Sequence, residues 1–397
     1  MMQECRYAWR SLLKSPGFTT AALMTLGLSI GANAVVFSLV NGLLLRPLPF
    51  GEATPRIVSL HGTHPTQFPD DWDDAGVSYA DLQDVARESE LLEDDGGYFG
   101  RSFTLELDKA VPVRGGSITP NLFSLLNVNP ALGRGFRPQE GQPPGFEAVV
   151  ILSHGLWQNR FGGDPNIVGR PIRINERELT VIGIMPPRFR FPERDDLWVP
   201  YRPQGKPNRA ARGLLAVGKL EEGVSIEQAR QEASTIAERL AARYPETNRG
   251  WGLYVLPFHD YFVGRSERLV ATTLLGAVGL VLLLGCANLA SLLLVRGSVR
   301  QRELAVRAAM GAGRWGLIRQ MLIESVMLGV AGGILGTLFA AWGLDALVGW
   351  FPEELPYWLR IDLDWRVIVF IGGISLVASM LVGLLPALSV SRFQLAA

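Results

Sequence analysis

Four membrane-spanning α-helices, with one large mixed α+β domain exported between the first helix and the second, are the fold class this sequence predicts. Three observations predict it. Four long apolar runs, at about 18–45, 270–295, 326–350 and 367–385, hold the apolar excess of the 397 residues. Arginine and lysine gather in the segments before the first run and between the second and third, which marks one side of a membrane. Residues 46–268 contain no further spanning run and mix short β-branched stretches with amphipathic ones.

Each run is long enough to cross a hydrocarbon core roughly 30 Å thick, which takes about twenty helical residues. A buried helix of a soluble protein is shorter and keeps a polar face, so four such runs together read as spans. Residues 1–17 read as an amphipathic cytoplasmic segment carrying Arg6, Arg10 and Lys14. Ala32-Asn33-Ala34 imitates a signal-peptidase site, yet Val35 to Leu45 prolongs the run past a signal peptide's apolar region, so the first helix is an uncleaved anchor.

Orientation follows from Arg296, Arg300, Arg302, Arg307, Arg314 and Arg319 in segment 296–325, which belongs with the amino terminus in the cytoplasm. The short loop 351–366 carries Glu353, Glu354, Asp362 and Asp364 and falls outside. Residues 386–397 then form a cytoplasmic tail. Thirty-eight basic and thirty-eight acidic residues cancel, which excludes a global basic field for nucleic acid. Cys5 and Cys286 both lie outside the exported domain, so that domain has no disulfide framework and needs an apolar core.

Within the exported domain, strands are predicted at Arg56–His61, Ala148–Leu152, Pro171–Ile174, Leu179–Ile184 and Leu214–Leu220, and helices at Tyr79–Glu88 and Ser225–Tyr244. Ile226, Ala229, Ala233, Ile236, Leu240 and Ala241 recur at helical spacing, and Ser225 with Gln228 spells a capping box. Pro/Gly-rich stretches at Arg137–Gly145 and Pro203–Ala211 suggest two subdomains, the second at about 213–259.

No motif in the domain reads as catalytic. Gly213 to Lys219 approaches a phosphate loop, but Leu220 stands where magnesium needs Ser or Thr, and the stretch reads as a strand. The acidic run Asp70, Asp71, Asp73 and Asp74 places Ala75 and Leu82 where a calcium loop needs oxygen ligands. His61, His64, His154 and His259 lack zinc spacing, and neither a Gly-x-Ser-x-Gly nor a His-Glu-x-x-His motif occurs. No metal, cofactor or catalytic residue is therefore assigned.

The spans are more specific. Gly329 with Gly333, and Gly332 with Gly336 continued by Ala340, set up overlapping small faces for close helix packing. Asn33 in the first helix and Asn288 in the second are polar groups at depth, expected to face protein and to hydrogen-bond between helices. Between the second and third spans, Glu303 and Arg307 are spaced as an i,i+4 pair, and Gly311 with Gly313 breaks the helix before it re-enters the membrane. This segment reads either as an interfacial helix held by anionic membrane lipid or as a docking site for a cytoplasmic partner.

That stretch, "RQRELAVRAAMGAGRWGLIRQMLIES", followed by the Gly-rich third helix, resembles the MacB/FtsX-like permeases of ABC transporters. The resemblance extends to the amino terminus "YAWRSLLKSPGFTTAALMTLGLSIGANAVVFSLVNGLLL" and to the exported "VRGGSITPNLFSLLNVNPALGRGF", "VVILSHGLWQNRFGGDPNIVGRPIRINERELTVIGIMP" and "GKLEEGVSIEQARQEASTIAERL". Their wording is most similar to the duplicated permeases of acidobacteria, with one unit of the two present here. The resemblance implies a multi-pass protein of the bacterial inner membrane, without its own ATPase, that works with a cytoplasmic ABC ATPase which binds the ATP. It also implies a second permease unit, as a homodimer or fused pseudo-dimer, and leaves open a periplasmic or outer-membrane partner. Residues matching the family's ATPase-coupling contact are Arg302, Glu303, Arg307, Ala309, Gly311, Gly313 and Arg314, with Arg10 and Lys14 on the preceding amphipathic segment. Two functions fit: mechanotransmission of ATP hydrolysis to the periplasmic domain for export or efflux, or FtsX-like signalling that activates a periplasmic enzyme.

Overall fold

The computed structural model describes residues 6, 10, 12–66, 75–141, 148–203, 208–299, 314–350 and 355–393. They fall into two compact units. The membrane unit is Met1–Arg46, Arg265–Leu355 and Leu359–Ala397; the exported unit is Pro47–Gly264 together with Pro356–Trp358.

Helix α1, Pro16–Val40, opens the membrane unit with proline in its first turn, where a missing N–H costs no hydrogen bond. It continues through a π-helical turn at Asn41–Leu45. Four stretches are long and apolar enough to cross a membrane: Pro16–Leu45, Arg265–Val295, Leu322–Trp350 and Trp365–Gly383. The exported domain lies between the first and the second, as the charge and hydropathy pattern predicts.

Helix α2, Tyr79–Glu88, belongs to the exported unit and starts where Ser78 accepts a hydrogen bond from the Asp81 amide. Helix α3, His154–Phe161, ends on Gly162 in the left-handed conformation. Helix α4, Ile226–Arg243, begins with the capping box that Ser225 and Gln228 spell, and buries Ala229, Ala233, Ile236 and Leu240. Thus the 3.6-residue stripe is the buried face.

Ten strands form one sheet among the described residues. They are β1 Ile57–Thr63, β2 Leu92–Glu106, β3 Ala110–Ile118, β4 Leu132–Gly133, β5 Val149–Leu152, β6 Pro171–Ile174, β7 Arg177–Ile184, β8 Leu197–Pro200, β9 Leu215–Leu220 and β10 Gly252–Pro257. Their order is β10-β1-β9-β2-β3-β8-β5-β7-β4, with β6 pairing both β2 and β7. Only β3 with β8 and β5 with β7 run parallel.

Two apolar cores divide this unit. One gathers Val58, Leu60, Val77, Leu82 and Val85 with Leu214, Ala216, Ile236, Leu240 and Val255. The other gathers Phe103, Leu105, Val113, Val150, Leu152, Trp157, Val181 and Leu197. The stretch 213–259 therefore does not close a core by itself; it needs β1 and α2 from far earlier in the chain. The Gly213–Lys219 stretch runs into β9, where Gly218 lies against Leu92 and Leu60 side chains, a strand packing that leaves no phosphate cradle.

Candidate functional site

Three long helices complete the membrane unit: α5 Arg265–Val299, α6 Arg314–Trp350 and α7 Trp365–Phe393. Among the expected coupling residues, Arg302, Glu303, Arg307, Ala309, Gly311 and Gly313 lie outside the described residues. Arg314 is the first residue of α6, which begins before its span proper at Leu322. At 1.5 Å per residue, the 37 residues of α6 extend about 55 Å as one helix.

The glycines of α6 present two faces to two neighbours. A Cβ on Gly333 would meet Ser375 Oγ of α7 at 2.6 Å, and one on Gly329 would collide with Ser379 of α7. About 100° round the helix, a Cβ on Gly332 would meet Leu26 Cβ of α1 at 2.8 Å, and one on Gly336 would meet Ile30 Cβ at 2.9 Å. Ala340, fully buried, continues that second face. Lipid tails are as apolar as leucine, so association in the bilayer rests on such close approach and on interhelical hydrogen bonds.

Asn33 supplies one of those bonds. Its Nδ2 donates to Val278 O of α5 and to Ser29 O of its own helix, each at 2.8 Å. Asn288 departs from expectation: it is exposed on the outside of the unit. The face that α5 turns inward carries Gly285, Cys286, Leu289 and Leu293, and Asn288 points away from it because it lies about 200° round the helix from Cys286.

A second cluster, missed from the sequence, locks the end of α1 to the start of α7. Asp364 caps α7, accepting from the amides of Arg366 at 3.0 Å and Val367 at 3.1 Å, and its other oxygen accepts from Asn41 Nδ2 at 2.9 Å. Burial opposes ionisation here, but those hydrogen bonds and the Arg46 charge prevail and hold the carboxyl below the usual range. Arg46 pairs with Asp362 at 2.8 Å, and Arg366 Nη1 donates to Leu45 O at 2.7 Å. Asp362 and Asp364 were read only as topology markers; their pairing depends on contacts more than 300 residues away in sequence.

Between α6 and α7, Pro356–Trp358 belongs to the exported unit. There the Tyr357 ring lies 5.3 Å from Phe189, and Trp358 lies 5.1 Å from Phe262. Phe189 in turn contacts Trp198 and Phe123, so the segment ends a chain of buried rings. The exported unit thus joins the membrane unit's chain at three places: after Arg46, before Arg265 and on both sides of Pro356–Trp358.

Four helices long and apolar enough to cross a membrane, with a sheet-rich domain inserted after the first, are the architecture in which these contacts sit. The chain belongs to the MacB/FtsX-like permease family: the MacB-like periplasmic core domain matches residues 19–236, and the FtsX-like permease C-terminal domain matches 275–395. Among curated relatives, the probable syringafactin export ATP-binding/permease protein SyfD of Pseudomonas syringae pv. tomato is 24% identical over 343 residues, covering 81% of this chain and 49% of SyfD. The macrolide export ATP-binding/permease protein MacB of Campylobacter jejuni subsp. jejuni (strain 81-176) is 28% identical over 219 residues, covering 52% of this chain and 33% of that protein. The chain thus spans half or less of the length of these relatives. A crystal structure of the periplasmic region of MacB from Actinobacillus actinomycetemcomitans aligns over 56% of this chain and 92% of its own, at 13% identity and a TM-score of 0.39.

Proposed function

We propose that this chain is the permease half of an exporter, in which a separate cytoplasmic ABC ATPase drives motion of the periplasmic domain and so expels a substrate. The observation that carries this reading is α6: one unbroken helix runs from Arg314, at the edge of the coupling segment, to Trp350, and the chain then enters the exported unit at Pro356–Trp358. In this reading, a displacement at its cytoplasmic end travels along the helix toward Trp350, from which the chain leads to Tyr357 and Trp358. The glycine faces tie that helix to α1 and α7, so the spans respond as a bundle. In this reading both chain termini lie in the cytoplasm, and ATP is bound by the partner subunit.

A second permease unit, as a separate copy or a fused half, completes the assembly in this reading. Asn288 supports it, since an amide at membrane depth on the outer face of α5 calls for a protein neighbour.

The test is capture of co-expressed nucleotide-binding proteins by the solubilised chain. Glu303→Ala with Arg307→Ala is expected to abolish capture and ATPase stimulation while insertion is unchanged. Tyr357→Ala with Trp358→Ala is expected to keep capture and lose export. Capture that survives the first pair, or export that survives the second, rejects the coupling path. Loss of cell-wall turnover without loss of efflux would favour the FtsX-like signalling function instead.

A further inference from the structure

A cavity of about 400 Å³ opens in the exported unit among residues that the permease reading does not use. Tyr79, on the first turn of α2, and Tyr201, just after β8, form two of its walls, their ring centroids 4.7 Å apart and their planes tilted by 43°. Asp95 of β2 contributes a half-buried carboxylate. Beside it, Asn121 donates its amide to Asp94 Oδ1 at 2.8 Å and to the Asp95 carbonyl at 2.6 Å, and the Thr119 hydroxyl accepts from the Gly97 amide. Both amide hydrogens of Asn121 are thus spent on Asp94 and on backbone.

Charge in this cavity is one-sided. Among the described residues that line it the one cation is Arg87, and it is held by Asp84 at 2.9 Å. Arg101 acts on the Tyr201 hydroxyl but lines a separate cavity. Burial, and then the neighbouring Asp94, push the Asp95 carboxyl up to about 6. Burial, Tyr201 and Asp95 likewise push the Tyr79 hydroxyl up. Two electron-rich ring faces beside such an acid form the arrangement that attracts organic cations, because the ring quadrupole and the carboxylate act together in a partly desolvated space.

We propose that Tyr79, Tyr201 and Asp95 form a binding site for an organic ammonium group, with the cation between the rings and the carboxylate. The site is independent of the ATPase reading, because the chain alone would carry it.

The experiment is calorimetric titration of the purified full chain, in a maltoside detergent at pH 7.5, with benzyltrimethylammonium and separately with benzoate. Saturable binding of the ammonium and none of benzoate is expected. Asp95→Asn, which keeps the shape and removes the charge, is expected to weaken binding about tenfold, and Tyr201→Leu by a similar factor, with thermal unfolding unchanged. Because Asp95 must be ionised, affinity in the wild type is expected to fall between pH 7.5 and pH 5, while the residual affinity of Asp95→Asn stays flat. No saturable binding, equal binding of benzoate, or an Asp95→Asn affinity within fivefold of wild type would overturn the proposal. None of these results would touch the permease reading, since no ATPase is present.

Discussion

The two units hold themselves together by opposite means. In the exported unit, Asp81 and Asp84, 1% and 3% exposed, are met by Arg209 at 2.7 and 2.5 Å, while Arg212 reaches Asp81 at 2.9 Å. Asn248 Nδ2 donates to the same Asp81 at 3.0 Å, and the two guanidinium groups lie over the rings of Tyr244 and Trp251. In the membrane unit, contact is made by glycine against serine, leucine and isoleucine, with the Asn33 amide as an interhelical hydrogen bond. Water makes apolar burial favourable in the first unit, so buried charges set register there. Lipid provides no such drive in the second, so distance of approach decides.

The largest effect that would sharpen this contrast belongs to Asp81→Ala. It takes the carboxylate from Arg212, leaves Arg209 with Asp84 alone, and is expected to cost about 3–5 kcal/mol, read as a drop in the thermal unfolding of the exported unit within the full chain. A loss below about 1 kcal/mol would mean that the network is solvated and that charge does not set register here.

Next comes pH. His61, 2% exposed, is pulled down to about 4 by burial, whereas the unfolded ring titrates near 6.5. The unfolded chain takes up that proton first, so the stability held above about pH 6.5 is lost as pH falls toward 4, by about 2–3 kcal/mol. Asp195, pushed up to about 7 by burial although Tyr98 donates to it at 2.7 Å, works in the other direction: its folded form is protonated first, and stability is gained as pH falls from about 7 toward 4. His61→Gln should remove the first contribution and leave the second, so the variant's melting temperature should rise across that window. An unchanged pH profile would remove His61 from the balance.

In the membrane unit, Gly333→Leu drives a side chain into Ser375 and is expected to cost about 1–3 kcal/mol, seen as loss of the folded helical unit at lower denaturant. Normal assembly would show that α7 moves aside freely. The smallest effect is that of Asn33→Ala, about 0.6 kcal/mol, measured by the same unfolding assay. A cost as large as that of Asp81→Ala would erase the contrast between the units.

How much was legible follows the same division. Spans and the capped helix α4 are written in local periodicity. Strands β2 and β3 were not, because glycines and acids interrupt their alternation. Those glycines answer to distant neighbours: a Cβ on Gly97 would strike the Leu214 side chain at 2.7 Å, and one on Gly116 would strike the ring of Tyr98. Likewise Pro203–Ala211 reads as a polar linker, yet Arg209 within it is part of the buried network, which no local pattern announces. Asn288 shows the converse, since depth is legible from hydropathy while the direction of a side chain needs its neighbours. Of the expected coupling residues, only Arg314 falls within the described structure.

Half of the most apolar stretch of α1 is buried, against 22% for α5, although α1 is made before the helices it packs against. Its neighbours α5, α6 and α7 are translated only after the whole exported domain. While it waits, Val278, the acceptor for Asn33 on α5, has not yet been synthesised. The bond from Asn33 to Ser29 O within α1 bridges that interval, giving the amide one partner at the moment of insertion and leaving its second hydrogen for α5, the first of those helices to follow.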